Sequence, residues 1–133
     1  MLDDRTGSAS DKPPHPYAGE LVWTGASNRF GWRSMLGNEP GPSEGERDVS
    51  PYCAPARATD LAGLPPTFLQ VGALDLFLEE DLEYARRLVR AGVPTELHVY
   101  PGGFHGVDLI PGTRIEAAFA RDAHEALRRA LLG

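Results

Sequence analysis

Two residues of this chain, Asp75 and His105, have the types and the spacing to work on one proton, although 105 − 75 = 30 positions separate them. Asp75 closes the apolar run Thr67-Phe68-Leu69-Gln70-Val71-Gly72-Ala73-Leu74. His105 lies in Pro101-Gly102-Gly103-Phe104-His105-Gly106, just past a second strand-like run at 95–100. Imidazole acts as a general base when one ring nitrogen faces a nucleophile and a carboxylate holds the other. Asp75 and His105 would be two members of such a Ser-His-Asp arrangement. Glycines on both sides of His105 permit a sharp turn at which no core-packing residue is needed. Taken singly, Asp75 is equally an N-cap of the following helix, and His105 an exposed loop histidine. The pair at matching strand ends is what points to catalysis.

Three elements must place the pair. Residues 67–74 and 95–100 read as strands and 76–91 as a helix, so the unit is strand, helix, strand. That order favours parallel strands with a right-handed crossover. Parallel strands end at the same sheet edge, where ligands bind in open α/β sheets. The helix carries Leu78, Leu82, Ala85 and Val89 at helical spacing, which predicts its buried face. Glu79, Glu80 and Asp81 near its start and Arg86, Arg87 and Arg90 near its end suit the helix dipole. The acidic start reads as solvated. In 95–100, Leu97 and Val99 face one way and Glu96, His98 and Tyr100 the other. Thr113-Arg114-Ile115-Glu116 forms a capping box for a last helix, with Ile115, Phe119, Ala123, Ala126, Leu127 and Ala130 as its buried stripe.

The first half is less determined. Residues 1–20 are rich in Pro, Gly and Ser and read as a loop, with Asp3-Asp4 as an acidic chain end. Residues 21–36 hold Trp23, Phe30, Trp32, Met35 and Leu36, enough for one or two short helices. Residues 38–47 read as a mobile loop. Within them Gly41-Pro42-Ser43-Glu44-Gly45 fits the G-x-S-x-G pattern, but a nucleophile elbow must follow a strand and open a helix. Neither element flanks Ser43, Pro42 removes an amide beside it, and Glu44 would oppose an oxyanion. Ser43 is therefore an ordinary serine.

Bulk properties set outer limits. The 133 residues, 41% hydrophobic and 24% charged, suit one soluble domain with a modest core. A net charge of −6 argues against nucleic-acid or anionic-membrane surfaces. No arginine cluster forms a phosphate clamp. Cys53 is the one cysteine, which excludes an internal disulfide and suits a reducing cytoplasm; it reads as a packed residue, with no adjacent cation to activate it. No apolar run approaches the length of a membrane span, and the acidic N-terminus is no secretory signal. His15, His98 and His124 make no close-spaced ligand motif, so neither a metal nor a cofactor is expected.

These motifs resemble the C-terminal part of the α/β-hydrolase family, in its hormone-sensitive-lipase-like esterase branch. The likeness rests on Leu61-Ala62-Gly63-Leu64-Pro65-Pro66-Thr67, Val71-Gly72-Ala73-Leu74-Asp75, Ala91-Gly92-Val93-Pro94-Thr95 and Tyr100-Pro101-Gly102-Gly103-Phe104-His105-Gly106. It covers residues 49–131 well and 1–48 more loosely. It implies residues 1–48 as a loop and partial cap segment and 49–133 as a C-terminal α/β subdomain. By the resemblance Asp75 is the triad acid and His105 the triad base of a carboxylic ester hydrolase. The family commonly has Asp-Pro-Leu at the acid; here Asp75-Leu76-Phe77 keeps the acid.

The family's His-Gly-Gly oxyanion segment and Gly-Asp-Ser-Ala-Gly elbow do not occur in these residues. Both are expected upstream of Met1, in a truncated gene, behind a misplaced start codon or on the other piece of a split protein. The chain alone is then expected to lack esterase turnover and to expose an unpaired edge of its first strand, open to a missing N-terminal half or to another copy. A non-catalytic binding module and a fragment of a same-fold serine peptidase are the alternatives. Substrate would be a small-molecule ester, with neither nucleic acid nor membrane as partner.

Overall fold

The structure, a computed structural model, describes residues 1–6, 15–37 and 49–132. In chain order it contains α1 (Gly25–Leu36), a single helical turn (Pro55–Arg57), β1 (Thr67–Gly72), α2 (Leu78–Arg90), β2 (Thr95–Tyr100), a second single turn (Val107–Leu109) and α3 (Arg114–Leu132). The architecture is α/β. β1 and β2 pair in parallel with Thr67 opposite Thr95 and Gly72 opposite Tyr100. Among the described residues this two-stranded sheet is the only one, and β1 has no strand on its other side.

α1 begins where Thr24 accepts the Ser27 amide at 3.2 Å, satisfying a donor that a helix start leaves open. α3 begins the same way, Thr113 Oγ1 accepting the Glu116 amide at 3.0 Å. Leu61, Leu88 and Val93 form a core beneath the crossover, with Leu69 and Tyr84 packed against it. α2 therefore turns Leu78, Ala85 and Leu88 inward, together with Glu80. The expected face of Leu78, Leu82, Ala85 and Val89 is corrected: Leu82 and Val89 are exposed. Leu88 sits three residues after Ala85, and its contact with Leu61 and Val93 fixes the helix rotation. In α3 Phe119 is buried, whereas Leu127 and Ala130 of the expected stripe are exposed, because the sheet beneath is only two strands wide.

α3 docks on the polar face of β2. Tyr100 donates to Asp122 Oδ2 at 2.7 Å, His98 Nδ1 stands 3.2 Å from the same carboxylate, and Glu96 pairs with Arg129. Burial, then the Asp122 carboxylate, raise the Tyr100 hydroxyl above the ordinary phenol range. Tyr100 and Phe119 rings stack at 4.2 Å between centroids. Half-apolar side chains can thus carry a helix on a face that alternation marks as polar.

The solvated reading of the acidic helix start is also corrected, and the acidic chain end is folded in. Asp4 is 2% exposed and binds Arg57 through two hydrogen bonds of 2.8 and 2.9 Å. Glu80 is buried, and its Oε1 accepts the Leu2 amide at 2.6 Å. Residues 1–6 fold back over the start of α2, and that covers a helix face which dipole reasoning left in water.

Candidate active site

The backbone brings the two strand ends into direct contact. The Ala73 amide donates to Tyr100 O at 2.9 Å, and the Leu74 amide to Gly103 O at 2.7 Å. A Cβ on Gly72 would stand 2.3 Å from Gly103 O, so only a residue without a side chain allows this approach. Gly106 follows His105 at φ 77° and starts the turn that carries the chain away.

Within that frame the Asp75 carboxylate divides its work. Oδ1 accepts the Phe77 amide at 3.0 Å, and Oδ2 stands 3.1 Å from His105 Nδ1. Asp75 thus contacts His105 through one oxygen, while the reading of Asp75 as the N-cap is corrected: Phe77 holds that position without a side-chain cap bond, and Asp75 Oδ1 only binds its amide. Asp75 is 8% exposed, whereas the His105 side chain keeps 35% of its surface open. An ionised carboxylate can only accept, so it selects the tautomer with hydrogen on Nδ1 and leaves Nε2 with a free lone pair. That nitrogen can take a proton from a nucleophile and return it to a leaving group.

Two aromatic rings enclose the imidazole. Trp23 lies 5.5 Å from it at 37°, and Phe77 meets it edge-on at 5.4 Å and 79°. The sequence treated Trp23 as part of an apolar helical stretch. In fact it precedes α1, at the position before the Thr24 cap, and the pattern Trp23-Thr24-x-x-Ser27 could have shown it as a residue fixing the chain's entry to the helix.

The remaining sequence candidates lie elsewhere. His15 Nδ1 accepts the Tyr17 and Ala18 amides, His98 pairs with Glu96 and Asp122, and His124 is exposed. Among the described residues no group of His, Cys, Asp and Glu could hold a metal ion. Ser43 lies outside the described residues. The three described serines are used locally: Ser27 with Thr24, Ser34 on Phe30 O, and Ser50 on the Tyr52 amide. Cys53 is half-buried and unbridged. A cleft of about 460 Å³ beside Arg57 and Arg87 includes neither Asp75 nor His105. Its guanidinium groups are engaged: Arg5 by Asp3, Arg57 by Asp4, and Arg87 by the Ala56 and Ala58 carbonyls. The Asp75–His105 pair lies at the sheet edge, not in that cleft.

Comparison with known proteins agrees with this fold. Residues 1–109 match the family model for the alpha/beta hydrolase fold. A bacterial heroin esterase superposes with a TM-score of 0.80 at 39% identity, over 98% of this chain and 40% of the esterase. The esterase LipW of Mycobacterium marinum superposes at 0.71 with 33% identity, over 94% of this chain and 37% of LipW. Mouse arylacetamide deacetylase-like 3 is 32% identical over 106 residues, 71% of this chain and 26% of that protein. The chain thus spans well under half the length of the relatives it matches. Among the described residues no helix is long and apolar enough to cross a membrane.

Proposed function

The chain belongs to the alpha/beta hydrolase fold family, and from that premise we propose that it carries the acid, Asp75, and the base, His105, of a carboxylic ester hydrolase with a Ser-His-Asp mechanism. The observation that carries the proposal is the 3.1 Å contact between Asp75 Oδ2 and His105 Nδ1 at the joined ends of two parallel strands. In the complete reaction His105 Nε2 would deprotonate a serine hydroxyl as its oxygen attacks the ester carbonyl. The alcohol then leaves with the proton that His105 returns, and water repeats the sequence on the acyl-enzyme. Asp75 would hold the tautomer and stabilise the imidazolium.

The nucleophile and the oxyanion donors are proposed to lie outside these 133 residues, on the part of the fold that the longer relatives possess. Residues 1–48 would then be a loop and partial cap segment, and 49–133 the subdomain bearing acid and base. Without a nucleophile the covalent route is closed and its main electrostatic stabilisation is lost. The chain by itself should not turn over short p-nitrophenyl esters and should gain that activity when an N-terminal part carrying the elbow is joined to it. In the joined enzyme His105→Ala should abolish nearly all turnover, and Asp75→Asn should lower kcat by about 10⁴-fold at most. Full activity in the joined His105→Ala enzyme would remove the catalytic reading.

A further inference from the structure

We propose that Trp23 is a positioning residue for His105, fixed over the imidazole by the buried Asn28. The inference rests on the catalytic reading of Asp75 and His105 for its purpose, but its test reads the ring directly. Three observations support it. The Trp23 and His105 rings stand 5.5 Å apart, on a side of the imidazole that the Asp75 hydrogen bond does not control. Trp23 Nε1 donates to Asn28 Oδ1 at 3.2 Å. Asn28 is fully buried and donates through Nδ2 to Thr6 O at 2.6 Å.

The asparagine thus joins the first residues of the chain to the indole, and the indole to the base. Thr6 is itself anchored from behind, since Asp4 is clamped by Arg57 and the Ala56 amide donates to Leu2 O at 2.9 Å. Residues 1–6 therefore act on His105 although they do not touch it.

The local backbone supports the same device. Val22 adopts φ 61°, and the Trp23 amide donates back to Leu21 O at 2.7 Å. A hydrogen bond from i+2 to i across a residue with positive φ is a strained three-residue turn, rare for a β-branched side chain. Such strain persists only where surrounding contacts over-determine it. Here they determine where the indole lands. A single hydrogen bond at Nδ1 leaves the imidazole free to swing about it. The indole and the Phe77 edge, both in contact with the ring, remove that freedom, so Nε2 keeps one direction.

Histidine-labelled chain examined by nitrogen-detected NMR tests this, with the His105 signals identified by their loss in His105→Gln. The wild-type chain should show a downfield Nδ1–H resonance of His105, protected from water. Trp23→Leu, which fills space without a planar ring, should speed its exchange with water about tenfold by freeing the side-chain rotor. Trp23→Phe should restore most of the protection. Asn28→Ser should show intermediate exchange, and it carries the test should Trp23→Leu fail to fold. Wild-type exchange in a folded Trp23→Leu or Asn28→Ser chain would overturn the positioning role while leaving the Asp75–His105 pair intact. If the wild-type chain lacks the resonance and Asp75→Asn leaves the His105 ring signals unmoved, the pair itself fails, and positioning with it.

Discussion

Gly72 is the residue on which the geometry of the Asp75–His105 pair most depends. A methyl group there would meet Gly103 O at 2.3 Å and Gly103 C at 2.4 Å, and both are backbone atoms that cannot rotate aside. Gly72→Ala should therefore destabilise the chain by about 3 kcal/mol and separate Asp75 from His105, which urea unfolding and the His105 Nδ1–H signal would report together. An alanine variant of wild-type stability would show that the strand ends are looser than the hydrogen bonds describe. Asp81 offers a second test at this scale. Burial first, and then the charge of Glu80, push its carboxyl up to about 7 from 3.8, overriding the helix dipole, which favours a negative charge near a helix start. Because the folded pKa lies above the unfolded one, the folded state binds the extra proton. This contribution is fully present below about pH 4 and is lost as pH rises toward 7. Asp81→Asn should stabilise the chain by on the order of 1–2 kcal/mol at pH 8 and by nothing at pH 3. Equal effects at both pH values, measured by urea unfolding, would remove the burial argument.

At the scale of elements, the crossover unit was readable because each signal there is local. Helical spacing, the acidic start of α2 and the alternation in 95–100 predict α2 and β2 to within about two residues. The first strand was drawn two residues too long, to Leu74, because Ala73 and Leu74 are apolar yet donate to Tyr100 O and Gly103 O beyond the ladder. The rotation of α2 was misread because Leu82 and Leu88 are equally apolar by type, and only the partners Leu61 and Val93 choose between them. That Asp75 and His105 meet was legible from their position after strands. The contact of Trp23 with His105 was not, because Asn28 and Thr6, which hold the indole, are connected to His105 by no sequence period. The turn that delivers Trp23 gives a prediction of its own. Val22 is exposed and at φ 61°, a conformation glycine adopts without steric cost. Relief of strain outweighs the extra chain entropy of glycine, so Val22→Gly should stabilise the fold by about 1 kcal/mol. A loss of stability on that substitution, in the same urea assay, would mean that the turn is not strained.

For the whole molecule, the decisive feature is what the two-stranded sheet leaves uncovered. Among the described residues β1 carries no strand on its outer side, and Leu82, Val89, Val99, Leu127 and Leu131 are exposed. Unpaired strand edges beside apolar side chains invite association. The chain should therefore self-associate in a concentration-dependent way in sedimentation experiments, and should become monomeric when joined to a segment that supplies a strand beside β1. A single monomeric species across the concentration range, before any joining, would contradict this.

The strand register has a consequence for the order of events during folding. Asp75 and His105 both belong to one crossover unit, with Thr67 opposite Thr95 and Gly72 opposite Tyr100. Their meeting requires closure of a loop of only about thirty residues, half of it helix, and short-range closures of this kind come early and cheaply in entropy. The contact draws only on residues up to Gly106, so it does not depend on α3 docking on the sheet.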